Sequence, residues 1–186
     1  MTSYEERVVM FKPELDLIFD AKIKEFTKFC LMLAPDYFFT DCPASSSGKY
    51  HPIDELGADG TLIHTKKVFT VAYALSRALY CEEHRDEILS ACIIHDLCKQ
   101  GMTRTGHTVK EHPELAAELV KKVQDDTQFL DQESFDIIHN SVFFHYGPWT
   151  VDKDRKDLKL FTPEELCVYL SDYIASKREI DVKYKR

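Results

Sequence analysis

The chain has 186 residues, 44% of them hydrophobic and 30% charged, with a formal net charge of -8. That length and apolar share fit one domain able to build its own core without disulfides or a structural metal. The acidic balance argues against an extended nucleic-acid partner, which needs a basic face, but leaves room for a small anionic substrate met by local cations.

Residues 1–11 carry Glu5, Glu6 and Arg7 and no apolar run of signal-peptide length. From Pro13 to Ala34, apolar residues recur every three or four positions (Leu15, Ile18, Phe19, Ile23, Phe26, Cys30, Leu33). This spacing predicts one amphipathic helix, opened near Pro13 and closed by Pro35. Residues 36–60, punctuated by Pro43, the run Ser45-Ser46-Ser47-Gly48, Pro52, Gly57 and Gly60, read as a long loop, either functional or a flexible linker. Helical period returns from Thr61 to Tyr80 and again from Glu83 to Lys99, with Gly101 as a stop signal. Gln100 to Thr108 is a polar turn, followed by helices over Lys110–Val123 and Asp131–His145, the latter ended by Gly147-Pro148. Val151 to Leu160 is a charged loop. Thr162-Pro163-Glu164-Glu165 then reads as a capping box opening a helix that runs to about Lys177. Everything regular is helical. No apolar stretch approaches the ~20 residues that span a bilayer, and the six scattered cysteines, without a CxxC, read as buried free thiols. The expectation is a soluble, cytoplasmic protein with no membrane partner.

The chemistry gathers around His95-Asp96, at the end of the apolar run Ala91-Cys92-Ile93-Ile94. His64, His112, His139, His145 and Asp172 each fall in a segment that reads as a helix. Imidazole nitrogens and carboxylate oxygens converging on one point form the ligand set of a divalent transition metal. Taken alone, Asp172 also reads as an ordinary helix-surface carboxylate.

The order His64, His95-Asp96, Asp172 on helices resembles the HD-domain metal-dependent phosphohydrolases, over roughly Leu62 to Lys177. The resemblance implies an all-α HD-type bundle of about six to seven helices, with a core at about 61–178 and the N-terminal helix and loop, 12–60, packing on it. It also implies His64, His95, Asp96 and Asp172 as ligands of one divalent metal. The stretch Glu111-His112-Pro113-Glu114-Leu115-Ala116-Ala117-Glu118-Leu119 further resembles the family's two-metal branch, in which His112 and His145 would hold a second ion bridged by Asp96. His139, six residues before His145, fits that pattern less well. His145-Tyr146 is followed by Gly147-Pro148-Trp149 and not by a Gly-Tyr-Pro signature, which argues against a cyclic-di-GMP phosphodiesterase. The run Pro43 to Pro52 looks like a segment of small HD proteins of phages and bacteria, and enzymes of this size in the family are often homodimers.

One or two ions are expected, iron or manganese favoured and nickel, cobalt or zinc compatible, because no cysteine joins the cluster. The implied reaction cleaves a phosphoester or phosphoanhydride of a nucleotide or nucleotide-like substrate by metal-activated water. Asp96 and Lys99 are the candidate catalytic residues, Lys99 lying one turn beyond His95, although a lysine at a helix C-terminus also serves the helix dipole. Ser46, Ser47, Lys49, Arg104 and Lys110 are candidate phosphate contacts, and Trp149 a candidate base-stacking residue. The serine-glycine-lysine run lacks the full P-loop spacing. For His51, His84 and His107 ordinary solvated or packed histidines are expected, His51 becoming interesting only if its loop folds over the site. The competing class is a catalytically inactive nucleotide-sensing or protein-interaction module on the same scaffold, disfavoured because no ligand position is missing.

Overall fold

The computed structural model describes residues 2–45, 47–151, 153 and 155–184. Among them the regular structure is entirely helical: α1 Tyr4–Met10, α2 Lys12–Leu15, α3 Ala21–Leu33, α4 Tyr37–Thr40, α5 Gly60–Ala78, α6 Arg85–Ile94, α7 His112–Thr127, α8 Gln132–Phe144 and α9 Pro163–Ala175. Helix α6 sits at the centre, its residues from Glu87 to Ile94 all buried, and packs against α3, α5, α8 and α9. Ile88, Leu89, Ile93, Ile94 and Leu97 meet Phe11, Phe26 and Phe38 from the N-terminal segment and Val168 from α9 in one buried cluster. No helix of the described residues is long and apolar enough to cross a membrane. All six cysteines are buried free thiols.

The single helix expected over Pro13–Ala34 is two. The chain turns between α2 and α3, where the carboxylate of Asp86 accepts hydrogen bonds from the amides of Phe19 and Asp20 (2.8 and 2.6 Å). Asp20 then caps α3 by accepting from Lys22 and Ile23. Helix α1, which the sequence did not announce, opens with a capping box at Ser3 and Glu6. Its Arg7 is buried and donates from Nη1 to the carbonyls of Leu31, Met32 and Ala34, so that a cation closes the C-terminal end of α3.

The stretch 36–60 is not a linker: α4 opens it, and the described residues beyond Thr40 form a packed loop. Cys42 bonds through its amide to Ala58 O and through its carbonyl to Thr61 N (2.7 Å each), and Ala44 N donates to Glu55 O (2.9 Å). These contacts fold the loop back so that a 3-10 turn, Ile53–Glu55, lies against α5. Helix α9 carries the expected capping box, Thr162 with Glu165, and Pro163 in its first turn. Helix α7 outruns its expected end by four residues and stops at Gln128, which takes a left-handed conformation (φ 52°).

Candidate metal centre

Five helices aim one polar side chain or more at the same point. His64 projects from the second turn of α5, and Asp172 from the last turn of α9, which packs along α5. Helix α6 ends at Ile94, so His95 caps it, and Asp96 and Lys99 belong to the turns beyond. His112 is the first residue of α7, ahead of Pro113, and His145 is the C-cap of α8. Placement at helix ends brings these side chains inward without breaking an apolar helical stripe.

The side chains of His64, His95, Asp96, His112 and His145 are at most 2% exposed, and that of Asp172 is 21% exposed. His64 Nε2 lies 2.8 Å from Asp172 Oδ1 and His95 Nε2 lies 3.5 Å from Asp96 Oδ2. On the other side of the same carboxylate, Asp96 Oδ1 stands 3.3 Å from His112 Nε2 and 3.8 Å from His145 Nε2. Ligand atoms of His64, His95 and Asp96 form one group within 4.8 Å, and those of Asp96, His112 and His145 a second. Asp96 belongs to both.

Hydrogen bonding on the far side of each ring settles what faces the centre. Nδ1 of His95, His112 and His145 is paired with the carbonyl oxygen of Cys92, Val109 and Val142 respectively (2.7, 2.6 and 2.6 Å). A carbonyl only accepts, so each Nδ1 carries a proton, and in the neutral ring the remaining lone pair, on Nε2, faces inward. His112 Nε2 and His145 Nε2 are then 3.1 Å apart with lone pairs opposed, and His95 Nε2 and Asp96 Oδ1 are buried without a hydrogen-bond partner. Buried acceptors converging without a donor are costly, and a cation between them removes the cost. The donor set therefore fits a divalent metal.

The local fields act differently on the rings. Burial, then the neighbouring His95 and His112, push His145 down to about 3, and burial lowers His95. Burial would also lower His64, but its bonds to Asp172 and Glu55 outweigh it and hold the ring up at about 9. Asp96 is held well below the usual carboxylate range despite its burial, by Lys99, His95 and His112. Lys99 pairs directly with Asp96 Oδ2 and is itself buried.

A cavity of about 560 Å³ opens onto this centre, within the range of small-molecule sites. Asp96, Lys99, His112 and Asp172 form its floor, and Ser45, Ser47, Tyr50, Trp149, Tyr173 and Lys177 are among its walls. Trp149 and Tyr173 stack with ring centroids 6.3 Å apart and an interplanar angle of 13°. A second cleft of about 620 Å³ lies at the Asp86 corner, and none of the candidate ligands borders it.

The remaining sequence candidates divide. Ser47 and Trp149 reach the cavity. Lys49, Arg104 and Lys110 are exposed and do not line it, and Arg104 is engaged by Asp41 (2.6 Å). Ser46 lies outside the described residues. His139 is not brought to the centre, since its ring sits between Phe135 and Phe143 and its Nδ1 faces Asn140 Oδ1. The condition set for His51 is met. Its loop does fold over the site, and the ring packs on His64 (centroids 4.9 Å apart) at the cavity wall. His107 also reaches the wall, whereas His84 stays in its surface turn. Glu55 was missed altogether. It is fully buried and touches His51, His64 and Lys67.

Among the described residues the fold is all-helical, and two histidine-carboxylate clusters that could hold a metal share one aspartate. Residues 61–177, more than half of the chain, match the model of the HD domain, and the chain belongs to that phosphohydrolase superfamily. No curated protein and no solved structure matches the chain.

Proposed function

We propose that the protein is a metal-dependent phosphohydrolase that cleaves a phosphoester or phosphoanhydride of a nucleotide or nucleotide-like substrate. The observation that carries this reading is Asp96, buried between two sets of inward-facing histidine lone pairs and paired with Lys99 at the floor of a cavity. His64, His95, Asp96 and Asp172 would hold one ion, and Asp96, His112 and His145 a second. Bound there, divalent iron or manganese supplies the Lewis acidity that activates water and neutralises phosphoryl charge.

The chain's own groups do the rest. Lys99, a buried cation beside Asp96, meets a phosphoryl oxygen arriving in the cavity and favours the charge that develops on it. The cavity walls Trp149, Tyr146, Tyr173 and Tyr50 offer aromatic faces on which a flat base can stack. Lys177, with Nζ 3.7 Å from the Tyr173 ring centroid, adds a cation at the rim for a further phosphate. Ser45 and Ser47 of the folded-back loop supply hydroxyls on the opposite wall. The net charge of -8 does not oppose an anionic substrate, because the cations that matter face the cavity.

The test is turnover by purified protein supplied with manganese or iron(II), against a panel of nucleoside mono-, di- and triphosphates, dinucleoside polyphosphates and cyclic nucleotides. Hydrolysis of at least one member is expected, with Asp96→Ala losing bound metal and activity together. A metal-loaded protein inert on the whole panel, or Asp96→Ala with full turnover, refutes the reading.

A further inference from the structure

We propose that Glu55 is a positioning residue of this centre: its carboxylate holds His64 through Nδ1 and so dedicates His64 Nε2 to the cation. The inference rests on the metal-centre reading above. Glu55 belongs to neither ligand group around Asp96, and it comes from the 3-10 turn that ends the folded-back loop. Its Oε2 accepts from His64 Nδ1 (3.1 Å) and from His51 Nδ1 (2.7 Å), while Oε1 forms an ion pair with Lys67 Nζ (2.9 Å).

The reason His64 needs such a partner lies in its position. His95, His112 and His145 stand at helix boundaries and bond Nδ1 to the backbone carbonyl three residues earlier. His64 lies inside α5, where the carbonyls are committed to the helix ladder. Without an outside acceptor on that side, the ring would hold its proton on Nε2, where Asp172 Oδ1 accepts at 2.8 Å. Glu55 supplies that acceptor, in the manner of the outer carboxylates that orient ligating histidines elsewhere.

The trio His51, Glu55 and His64 could itself be taken for a third cation site, since its ligand atoms lie within 4.8 Å of one another. Charge and hydrogen bonding argue otherwise. Lys67 already neutralises one carboxylate oxygen, and two ring nitrogens occupy the other. The carboxylate is also set in place by the backbone. Ala44 N donates to Glu55 O, and Gly60 packs so closely that a Cβ there would lie 1.9 Å from that oxygen. The loop that walls the cavity is thereby coupled to a metal ligand through one side chain.

Glu55→Gln keeps the shape and replaces the charged acceptor of His64 Nδ1 by a weaker neutral one. An amide nitrogen at the Oε2 position would face two histidine Nδ1 groups, and at the Oε1 position it would face Lys67. In the first orientation His64 must give up its Nδ1 proton; in the second the amide repels the lysine, and its neutral oxygen holds the His64 proton less firmly than a carboxylate does. The experiment strips the full-length protein with a chelator and titrates it with zinc by calorimetry, alongside elemental analysis. Glu55→Gln should weaken one binding event about 10–100-fold, whereas Lys67→Met, which acts on the other oxygen, should lower the melting temperature and leave zinc affinity near the wild-type value. Equal affinity in wild type and Glu55→Gln overturns the inference while the metal-centre reading stands. A wild-type protein that takes up no metal overturns both. Should Glu55→Gln fail to fold, nitrogen-15 NMR of the zinc-loaded wild type decides: zinc on His64 Nε2 with a slowly exchanging proton on Nδ1 is expected, and zinc on Nδ1 overturns the proposal.

Discussion

His139 and His145 lie six residues apart at the end of one helix, and only one of them faces Asp96. His145 is buried with Nε2 turned to the carboxylate; His139 fills a gap between two phenylalanines. Replacing His145 by alanine should therefore lower metal-dependent turnover by about 100-fold or more, as expected when an ion loses an inner ligand, while His139→Ala stays within about threefold of wild type. Steady-state rates of the two variants under saturating manganese check this, and a larger loss for His139→Ala would mean the centre is drawn wrongly. The residues that converge on Asp96 were legible in the sequence through their order along the chain and its resemblance to the HD pattern. Glu55 and His51 were not legible. A glutamate and a histidine in a serine- and proline-rich loop carry no pattern, and what brings them to His64 is the pairing of Cys42 with Ala58 and Thr61, made across a gap in sequence. Arg104 and Lys110 erred in the other direction, because local charge cannot show which way a surface turn faces.

Helices α2 and α3 show the same limit at the level of elements. The apolar positions Leu15, Ile18, Ile23 and Phe26 keep a helix-like rhythm across the corner at Asp20, so periodicity alone predicts one long helix there. The break is stabilised from elsewhere, by the Asp86 carboxylate on the amides of Phe19 and Asp20, across 66 and 67 residues of chain. The capping box of α9, by contrast, is built from neighbours and could be read directly. Asp86→Ala removes the acceptor for two amides that the short helices leave unpaired, and should cost about 1–2 kcal/mol of stability. Urea unfolding followed by circular dichroism measures that loss, with the denaturant slope unchanged because the buried surface stays the same. No effect on the midpoint would show that the corner is held by packing of Ile18 and Phe26 alone.

At the scale of the molecule, the centre ties together α5, α6, α7, α8 and α9, which otherwise hold by packing in the shared apolar core. The metal-free fold carries a burden there: opposed lone pairs on His112 and His145 and a buried Asp96 oxygen without a donor. An ion that binds only the folded chain removes this burden and adds its binding free energy to stability, about 2.7 kcal/mol at a concentration one hundred times its dissociation constant. For a chain of this size that corresponds to a rise of roughly 5–10 °C in melting temperature. Thermal unfolding of chelator-treated protein, with and without manganese or nickel, should show the rise, and a chelator added afterwards should reverse it. Asp96→Ala separates a specific effect from a general one: the shared ligand is gone, so both ligand groups fail together and added metal should leave the transition where it was. A single ligand lost from one group, as in His145→Ala, should leave part of the rise in place, because His64, His95, Asp96 and Asp172 remain to hold one ion. Equal loss in the two variants would mean that the two ligand groups do not act as separate sites joined at Asp96.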